Sequence, residues 1–494
     1  MIFLNPFFWI TMLGIIPLYY KVKSVNTKNI ILAVFSVIWY VRYAEWSALY
    51  LVTTIVTTWI YGYLYEKYKN SRSVHIFAWF LGIGVNLGIL LVLKYNGLIL
   101  TNGLNLWIPL GLSFYTFQAL GYCIDIRNGN CTREKNIWQH ILFLSFIPQM
   151  VTGPISRKSQ LTEEFVKEKI FNYEKIVANL YRMTWGFFKK IVIANNLGVL
   201  VSSIYADYQN VSGILLAINA MLYVVQLFCD FAGCMDIAIG AAGLFGIEVV
   251  ENFDKPFTGK SVSEFWRRWH ITLGTWVKDY VFYPILLFMN RKVSKGVIEK
   301  IGKKKFKKIS TYVALFILWS IVGLWHGADI KYWFGNGVMY ALVIIIGEVL
   351  SPISQKVLGL LKIDVKSKAY GYFQMVRTFL IFCVGSMFFN LNSAEMTIKV
   401  LGRIFTNFAT NLTNYAFFSG LLGNEKLKVI IGLLCMVIFL IISMFDLKLG
   451  EKIRTKNTAI RWLNYAVVII VIFVSFILQN GGYGDSVNFI YMQF

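Results

Sequence analysis

Charge is scarce in this chain. Asp, Glu, Lys and Arg make up only 15% of its 494 residues, where a soluble globular protein carries roughly 25%. With 57% hydrophobic residues and a mean hydropathy of +0.60, a soluble single-core enzyme is excluded. Short alternating apolar segments, the mark of a membrane β-barrel, are missing as well. The six cysteines (Cys123, Cys131, Cys229, Cys234, Cys383 and Cys435) contain no CxxC pair and no metal-ligand spacing, so they read as small hydrophobes and no metal is expected. No internal repeat period is visible, which weakens a transporter built from repeated halves. The first twenty residues lack a positive n-region and a small-residue cleavage site, so they are expected to remain as a first span.

What the chain has is long apolar runs. They cover residues 5–20, 29–41, 46–64, 75–93, 104–124, 212–229, 310–325, 336–350, 370–389, 428–445 and 461–478. Each approaches the ~17–25 residues a spanning helix needs. The expected fold is therefore an all-α, multi-pass integral membrane protein. The formal charge of +23 sits between the runs, at Lys21, Lys23 and Lys28, at Lys67, Lys69 and Arg72, and at Lys448, Lys452, Arg454 and Lys456. Basic residues so placed report cytoplasmic loops and contact with anionic lipid headgroups. They do not point to a nucleic-acid partner.

Three regions depart from plain spans. Residues 145–175 hold Phe146-Ile147-Pro148-Gln149 and Gly153-Pro154-Ile155 and read as a broken or re-entrant segment followed by an interfacial helix. Residues 248–308 are the most polar block and end in the cationic run Lys300, Lys303, Lys304, Lys305, Lys307 and Lys308, which reads as cytoplasmic. Within the block, Ser261-Val262-Ser263-Glu264 fits a capping box with Ser261 as N-cap and Glu264 returning to the cap N–H. A continuous helix is expected beyond it, with Trp266, Trp269, His270, Leu273, Val277 and Tyr280 on one face. The third region is the tail, 479–494, which ends in aromatics and is expected to lie outside the cell and to dock into something.

Histidine is the scarcest titratable type, with four copies. Two lie in tryptophan-rich settings, Trp266-Arg267-Arg268-Trp269-His270 and Gly323-Leu324-Trp325-His326-Gly327. Polar residues at membrane depth are costly and mark functional sites. Periodicity alone nevertheless reads His270 as a core histidine satisfied by a neighbour.

The motifs themselves are more specific. Cys229-Asp230-Phe231-Ala232-Gly233-Cys234-Met235-Asp236-Ile237-Ala238-Ile239-Gly240, Glu251-Asn252-Phe253-Asp254-Lys255-Pro256-Phe257, Glu264 to His270, Trp276-Val277-Lys278-Asp279-Tyr280 and Gly323 to Ala328 resemble the membrane-bound O-acyltransferase family. So do the segment Leu110 to Gln118 and Gly153-Pro154-Ile155. The likeness is to the branch of alginate O-acetylation proteins, with D-alanyl-teichoic-acid export proteins as close neighbours. It spans nearly the whole chain and is densest between Phe231 and Tyr280. Cys234 stands where relatives carry an aromatic, and Asn390, after Phe388 and Phe389, where they carry arginine.

The resemblance implies a ring of about 11–13 membrane helices around a thinned central funnel, as one membrane domain over residues 1–494. Its parts would be N-terminal spans (1–130), a catalytic core (131–390), C-terminal spans (391–478) and the extracytoplasmic tail. It also implies that His326 is the catalytic histidine and that His270 is a second functional position, orienting or structural. The base role suits a neutral imidazole with a pKa near ~6.5. Trp325, Trp266 and Trp269 are expected to support the site, and Asp279 either holds an imidazole tautomer or pairs with an arginine. No serine or cysteine nucleophile stands beside either histidine, so a hydrolase triad is not expected. The tail residues Phe489, Tyr491 and Phe494 resemble a terminal motif of exporting members, in which the tyrosine carries the acyl group outward.

Function follows as an expectation: an acyl group, acetyl first and D-alanyl as the alternative, moves from a cytoplasmic thioester across the cell membrane. It then reaches an envelope or secreted polysaccharide. No tightly bound cofactor is expected; the donor would be acetyl-CoA or an acyl-carrier thioester. A separate extracytoplasmic acetyltransferase and a cytoplasmic carrier protein are the expected partners. The rival from another class, a lipid-linked sugar flippase, predicts charged residues inside the spans and internal symmetry, neither of which is evident in the apolar runs.

Overall fold

A computed structural model describes residues 3, 5–96, 108–150, 153–293, 295–409, 425–444 and 457–480. Among them every regular element is helical, and the one bridge between extended residues joins Phe253 and Trp269. Among the described residues, eight helical stretches are long and apolar enough to cross a membrane, as expected for a multi-pass α-helical protein. One, Val25–Lys67, is 43 residues long. It contains two helices of 20 residues each, Val25–Ala44 and Ala48–Lys67, parted at Glu45, whose φ is 51°. A side chain at positive φ is uncommon outside turns, and it breaks the helix there.

Two expectations need correction. Tyr173–Ala206 is a candidate span of 34 residues that is not an unbroken apolar run in the sequence, because Arg182, Lys189 and Lys190 interrupt it. The run at 212–229 is only the first part of a helix, Gly213–Gly243, that continues through Asp230 and Asp236. Charges therefore do lie inside the spans. The physical reason they are tolerated is pairing: Lys190 donates to the Asp230 carboxylate, with the two side chains 2% and 1% exposed. A buried charge persists when it is hydrogen-bonded to its opposite.

The chain forms two compact units, Met1–Gly186 with Cys234–Asn252, and Phe187–Gly233 with Phe253–Phe494. In the first, the segment Phe146 to Ser156 holds a single helical turn, Ile147–Met150, followed by irregular backbone from Gly153, and is buried wherever it is described. The Gln149 amide donates to the Pro154 carbonyl at 2.8 Å, and the helix Lys158–Val166 follows. Non-helical backbone at depth needs such internal partners. Gly111 caps the helix Leu112–Asn128 at φ +75°, where a Cβ would come within 2.4 Å of the Met150 carbonyl oxygen. Only glycine fits that position. At the other end of this unit, Arg182 donates through Nε to Asp236 at 3.0 Å and through both terminal nitrogens to Glu251 at 2.7 Å, a two-pronged geometry that fixes orientation as well as charge.

In the second unit, Lys303–His326 and Ile330–Val349 are a close-packed helical hairpin. A Cβ on Gly337 would lie 2.5 Å from the Trp319 carbonyl oxygen and 3.0 Å from the Gly323 Cα. Small residues facing each other let two backbones approach without the side-chain layer that usually separates helices. The helix Lys368–Asn390 packs on the same hairpin, with Phe388 against Gly335 and the Tyr340 hydroxyl against Gly385.

Candidate active site

The continuous helix expected through His270 is absent. Helix Val262–Arg268 starts as the sequence indicates, with Ser261 Oγ accepting from the Glu264 N–H at 3.2 Å. The Glu264 carboxylate, however, accepts from the Lys260 N–H, one residue before the cap. The helix stops after Arg268 because Trp269 turns extended to bridge Phe253, and the Asp254 N–H donates to the Arg268 carbonyl. His270 then adopts φ 49°, ψ 52° and opens a second helix, Ile271–Val277. A non-glycine residue in the left-handed region costs roughly 1–2 kcal/mol. Such strain persists where the surroundings over-determine it, and it clusters at functional sites.

That break delivers His270 to an aromatic wall. Its ring meets Phe231 edge-to-face at 4.9 Å and lies 6.1 Å from the Trp325 ring. The Trp325 and His326 rings are 4.7 Å apart, and His326 meets Phe389 edge-to-face at 5.3 Å. Both imidazoles therefore neighbour one indole. They are 2% and 4% exposed. Burial pushes the His270 imidazole down from 6.5 to about 3, so this ring stays neutral, with one N–H to donate and one nitrogen to accept.

His326 is the last residue of the Lys303–His326 helix, and Gly327 is its cap. Close approach explains the glycines on both sides. A Cβ on Gly323 would meet the Tyr332 carbonyl oxygen at 2.7 Å, and one on Gly327 the Tyr332 ring at 2.5 Å. The turn is pinned by Lys331, whose buried ammonium donates to the Leu391 carbonyl at 2.6 Å and lies 4.7 Å from the Tyr332 ring centroid. This ties the hairpin turn to the end of Lys368–Asn390, which is the end that carries Phe389.

The remaining expected site residues separate. Trp266 packs on Trp319, Tyr340 and Phe382 at 5.0, 5.0 and 5.7 Å, and Trp269 on Phe382 and Phe253 at 5.0 and 5.1 Å. Both hold the helix before His270 in an aromatic core. Asp279 lies half-buried on the π-helical turn Lys278–Phe282. Tyr491, Phe489 and Phe494 lie outside the described residues. Phe231, Phe389 and Lys331 were not foreseen as site residues. Phe231 and Phe389 stand inside quoted motifs and read there as ordinary apolar positions; a lone lysine five residues after His326 was the available signal for the third.

Comparison with known proteins gives this geometry a context. The model of the membrane-bound O-acyltransferase family matches residues 133–389, a stretch that contains both histidines and Phe389. The probable alginate O-acetylase of Pseudomonas putida is 30% identical over 425 residues, 82% of this chain and 80% of that one. The teichoic acid D-alanyltransferase of Streptococcus thermophilus is 28% identical over 359 residues, 70% and 82% of the two chains. The peptidoglycan O-acetyltransferase of Helicobacter pylori is 27% identical, covering 66% of this chain and 67% of its own.

Proposed function

The chain belongs to the membrane-bound O-acyltransferase family and is a multi-pass membrane acyltransferase, and from that premise we propose that it exports acetyl groups for O-acetylation of a cell-envelope or secreted polysaccharide. The observation that carries the reading is the pair of buried imidazoles that both neighbour Trp325. The relatives named as O-acetylases and O-acetyltransferases support acetyl as the cargo.

In this reading His326 is the general base. Its imidazole takes the proton of the acceptor hydroxyl as that oxygen attacks the thioester carbonyl. The tetrahedral oxyanion collapses, the carbon–sulfur bond breaks, and the proton passes from the imidazolium to the departing thiolate. Such a base contributes roughly 10²–10⁴-fold. His270, held neutral, donates an N–H to the oxyanion or orients His326; charge stabilisation of that kind is worth most in a dry site. Trp325 and Phe389 keep water from the acyl group.

The donor is acetyl-CoA or an acyl-carrier thioester on the cytoplasmic side, where the 300–308 lysine run attracts an acidic partner. The first acceptor is Tyr491 of the extracytoplasmic tail. A phenol with pKa near ~10 leaves more easily than an alkyl hydroxyl, so an acyl-tyrosine retains transfer potential for an extracytoplasmic transferase. Reach allows it. The 13 residues from Leu478 to Tyr491 extend up to roughly 43–47 Å, against about 15 Å for half the hydrocarbon thickness. The base of the tail is anchored: the Gln479 amide donates to the Ile191 carbonyl at 2.8 Å and to Asn196 Oδ1 at 2.9 Å, and accepts from Asn195 at 3.0 Å.

A second reading, D-alanyl transfer, is favoured by the likeness to the teichoic acid D-alanyltransferases. One experiment separates the two and tests both. Mild base releases ester-linked groups from the envelope polymers of cells carrying the wild type or His326→Ala. Acetate lost in the variant supports the first reading, and D-alanine lost supports the second. No change in either, with the variant present at wild-type level, removes both.

A further inference from the structure

A second built cavity lies within the unit Met1–Gly186 with Cys234–Asn252. It has a volume of about 830 Å³ and opens beside the end of the helix Ala48–Lys67 and the start of Arg72–Lys94. Its lining contains three permanent cations, Lys69, Arg72 and Arg127, and no carboxylate. Of the nearby acids, Glu66 is drawn off by an ion pair with Arg133, and Asp125 accepts from the Asn130 amide at 3.2 Å. Two chain segments far apart in sequence thus bring like charges to one concave surface. Like charges so placed repel, and each needs an anion to offset it.

The cavity is also partly ordered for a ligand. The Arg127 guanidinium sits 4.6 Å over the Trp79 ring, and His75 stacks on Tyr65 at 4.3 Å and 13°. Stacked guanidinium groups keep their N–H fork oriented, and that fork matches phosphate oxygens. Trp79 Nε1 and His75 Nε2 are buried with no hydrogen-bond partner among the described residues. A buried donor left unsatisfied is costly, so an acceptor that reaches the Trp79 N–H stabilises the site. The rest of the wall is apolar, formed by Ile76, Phe80 and Ile83, and Ile76 and Phe80 are each 62% exposed. Cations and exposed hydrocarbon lining one cavity suit an amphiphile. The size suits one too, since small-ligand pockets run to about 300–1,000 Å³.

We propose that this cavity binds the phosphate of an anionic amphiphile, a membrane phospholipid, at a site separate from the one that contains His270 and His326. Neither its occupant nor its chemistry depends on which acyl group the protein transfers. The distinction that matters is between a formed site and the diffuse attraction of any basic loop for anionic lipid.

Full-length protein in nonionic detergent is titrated with phosphatidylglycerol or phosphatidylcholine in mixed micelles, and the lipid retained is counted by native mass spectrometry. Phosphatidylglycerol should bind with a clear preference. The double variant Arg72→Gln/Arg127→Gln should lose about thirtyfold in affinity for it, the loss expected when two cations near an anionic headgroup are removed. Lys303→Gln/Lys304→Gln, which removes the same charge from the 300–308 run, should change it by less than about threefold. Equal losses in the two double variants overturn the site, because diffuse attraction then suffices. Trp79→Phe, which keeps a ring under Arg127 and removes only the N–H, should weaken binding by several-fold. Inorganic phosphate is added as a competitor: displacement of the lipid by millimolar phosphate makes a soluble phosphate the natural occupant, and failure to displace it makes the lipid the occupant. Both results uphold the phosphate site. Wild-type retention times for every variant exclude misfolding as the cause of a loss.

Discussion

Two buried histidines, one in each compact unit, look alike by burial and differ in everything else. His140 is 0% exposed and lies on a regular helix, Ile137–Ser145. Its Nε2 is 3.0 Å from Thr58 Oγ1 and 3.2 Å from the Ile55 carbonyl, and its ring lies between Trp59 and Tyr122 at 5.3 and 5.4 Å. His270 is as deeply buried, but it occupies a break between two helices, in a left-handed backbone conformation that a bridge at Trp269 imposes. Burial lowers both imidazoles, to about 4 and about 3. A lowered pKa therefore does not mark function here. What sets His270 apart is its strained backbone, a second histidine beside the same indole, and a nearby turn held by facing glycines. His140 is explained by packing alone; the other pair is not.

The contrast can be broken most sharply at His326. His326→Ala should reduce envelope acylation by roughly 10²–10⁴-fold, the contribution of a positioned base, with little change in melting temperature. His140→Ala should do the reverse and lower melting temperature while leaving the acylation of folded protein near wild type. Ester release from the polymer and a thermal melt on the purified protein read the two effects, and equal loss of activity in both variants would erase the distinction.

Next comes the buried pair in the second unit. Lys190→Met removes the ammonium that donates to the buried Asp230 carboxylate and should cost about 3–5 kcal/mol. Adding Asp230→Leu should recover most of it. If the double variant is stable and still transfers acyl groups, the pair is a packing device like His140. Should it be stable and inactive, the site extends to Asp230.

His270 tests whether the strained backbone is needed by itself. Asn tolerates the left-handed region, so His270→Asn should keep the fold and lose activity by roughly tenfold or more if the imbuing group is the N–H of a catalytic support. His270→Val adds β-branching at positive φ and should also destabilise the protein, by at least about 1–2 kcal/mol. Wild-type activity in the Asn variant would reduce His270 to a structural residue.

The last test is in pH. The folded imidazole of His270 is depressed from 6.5 to about 3, so below pH 6.5 the unfolded chain binds a proton that the folded chain refuses. Stability from this group is fully present above pH 6.5 and is lost as pH falls towards 3. His140 behaves the same way down to about 4. Replacing either histidine with a non-titrating residue should flatten the acid side of a stability curve measured between pH 7 and 4. An unchanged slope in both variants would mean that neither ring is excluded from protons.

The sequence alone determined the class of this protein. Apolar runs of spanning length, cations between them and the motif-rich stretch from Phe231 to Tyr280 carry that information locally, because hydrophobicity and helix length need no partner to be read. It also singled out His326 and His270 by their rarity and setting. It misread what depended on distant contacts. The span Tyr173–Ala206 was hidden because Lys190 is an expensive residue until Asp230, forty positions away, neutralises it. The helix break at His270 was hidden because helical periodicity continues through it, and only the bridge to Phe253 shows why the backbone leaves the helix. The placement of two imidazoles beside Trp325, and of Phe389 against one of them, required the Gly323–Gly337 approach and the Lys331 anchor at Leu391. Local pattern set which segments are helices. Pairing of buried charges and close backbone packing, both long-range, decided which side chains meet.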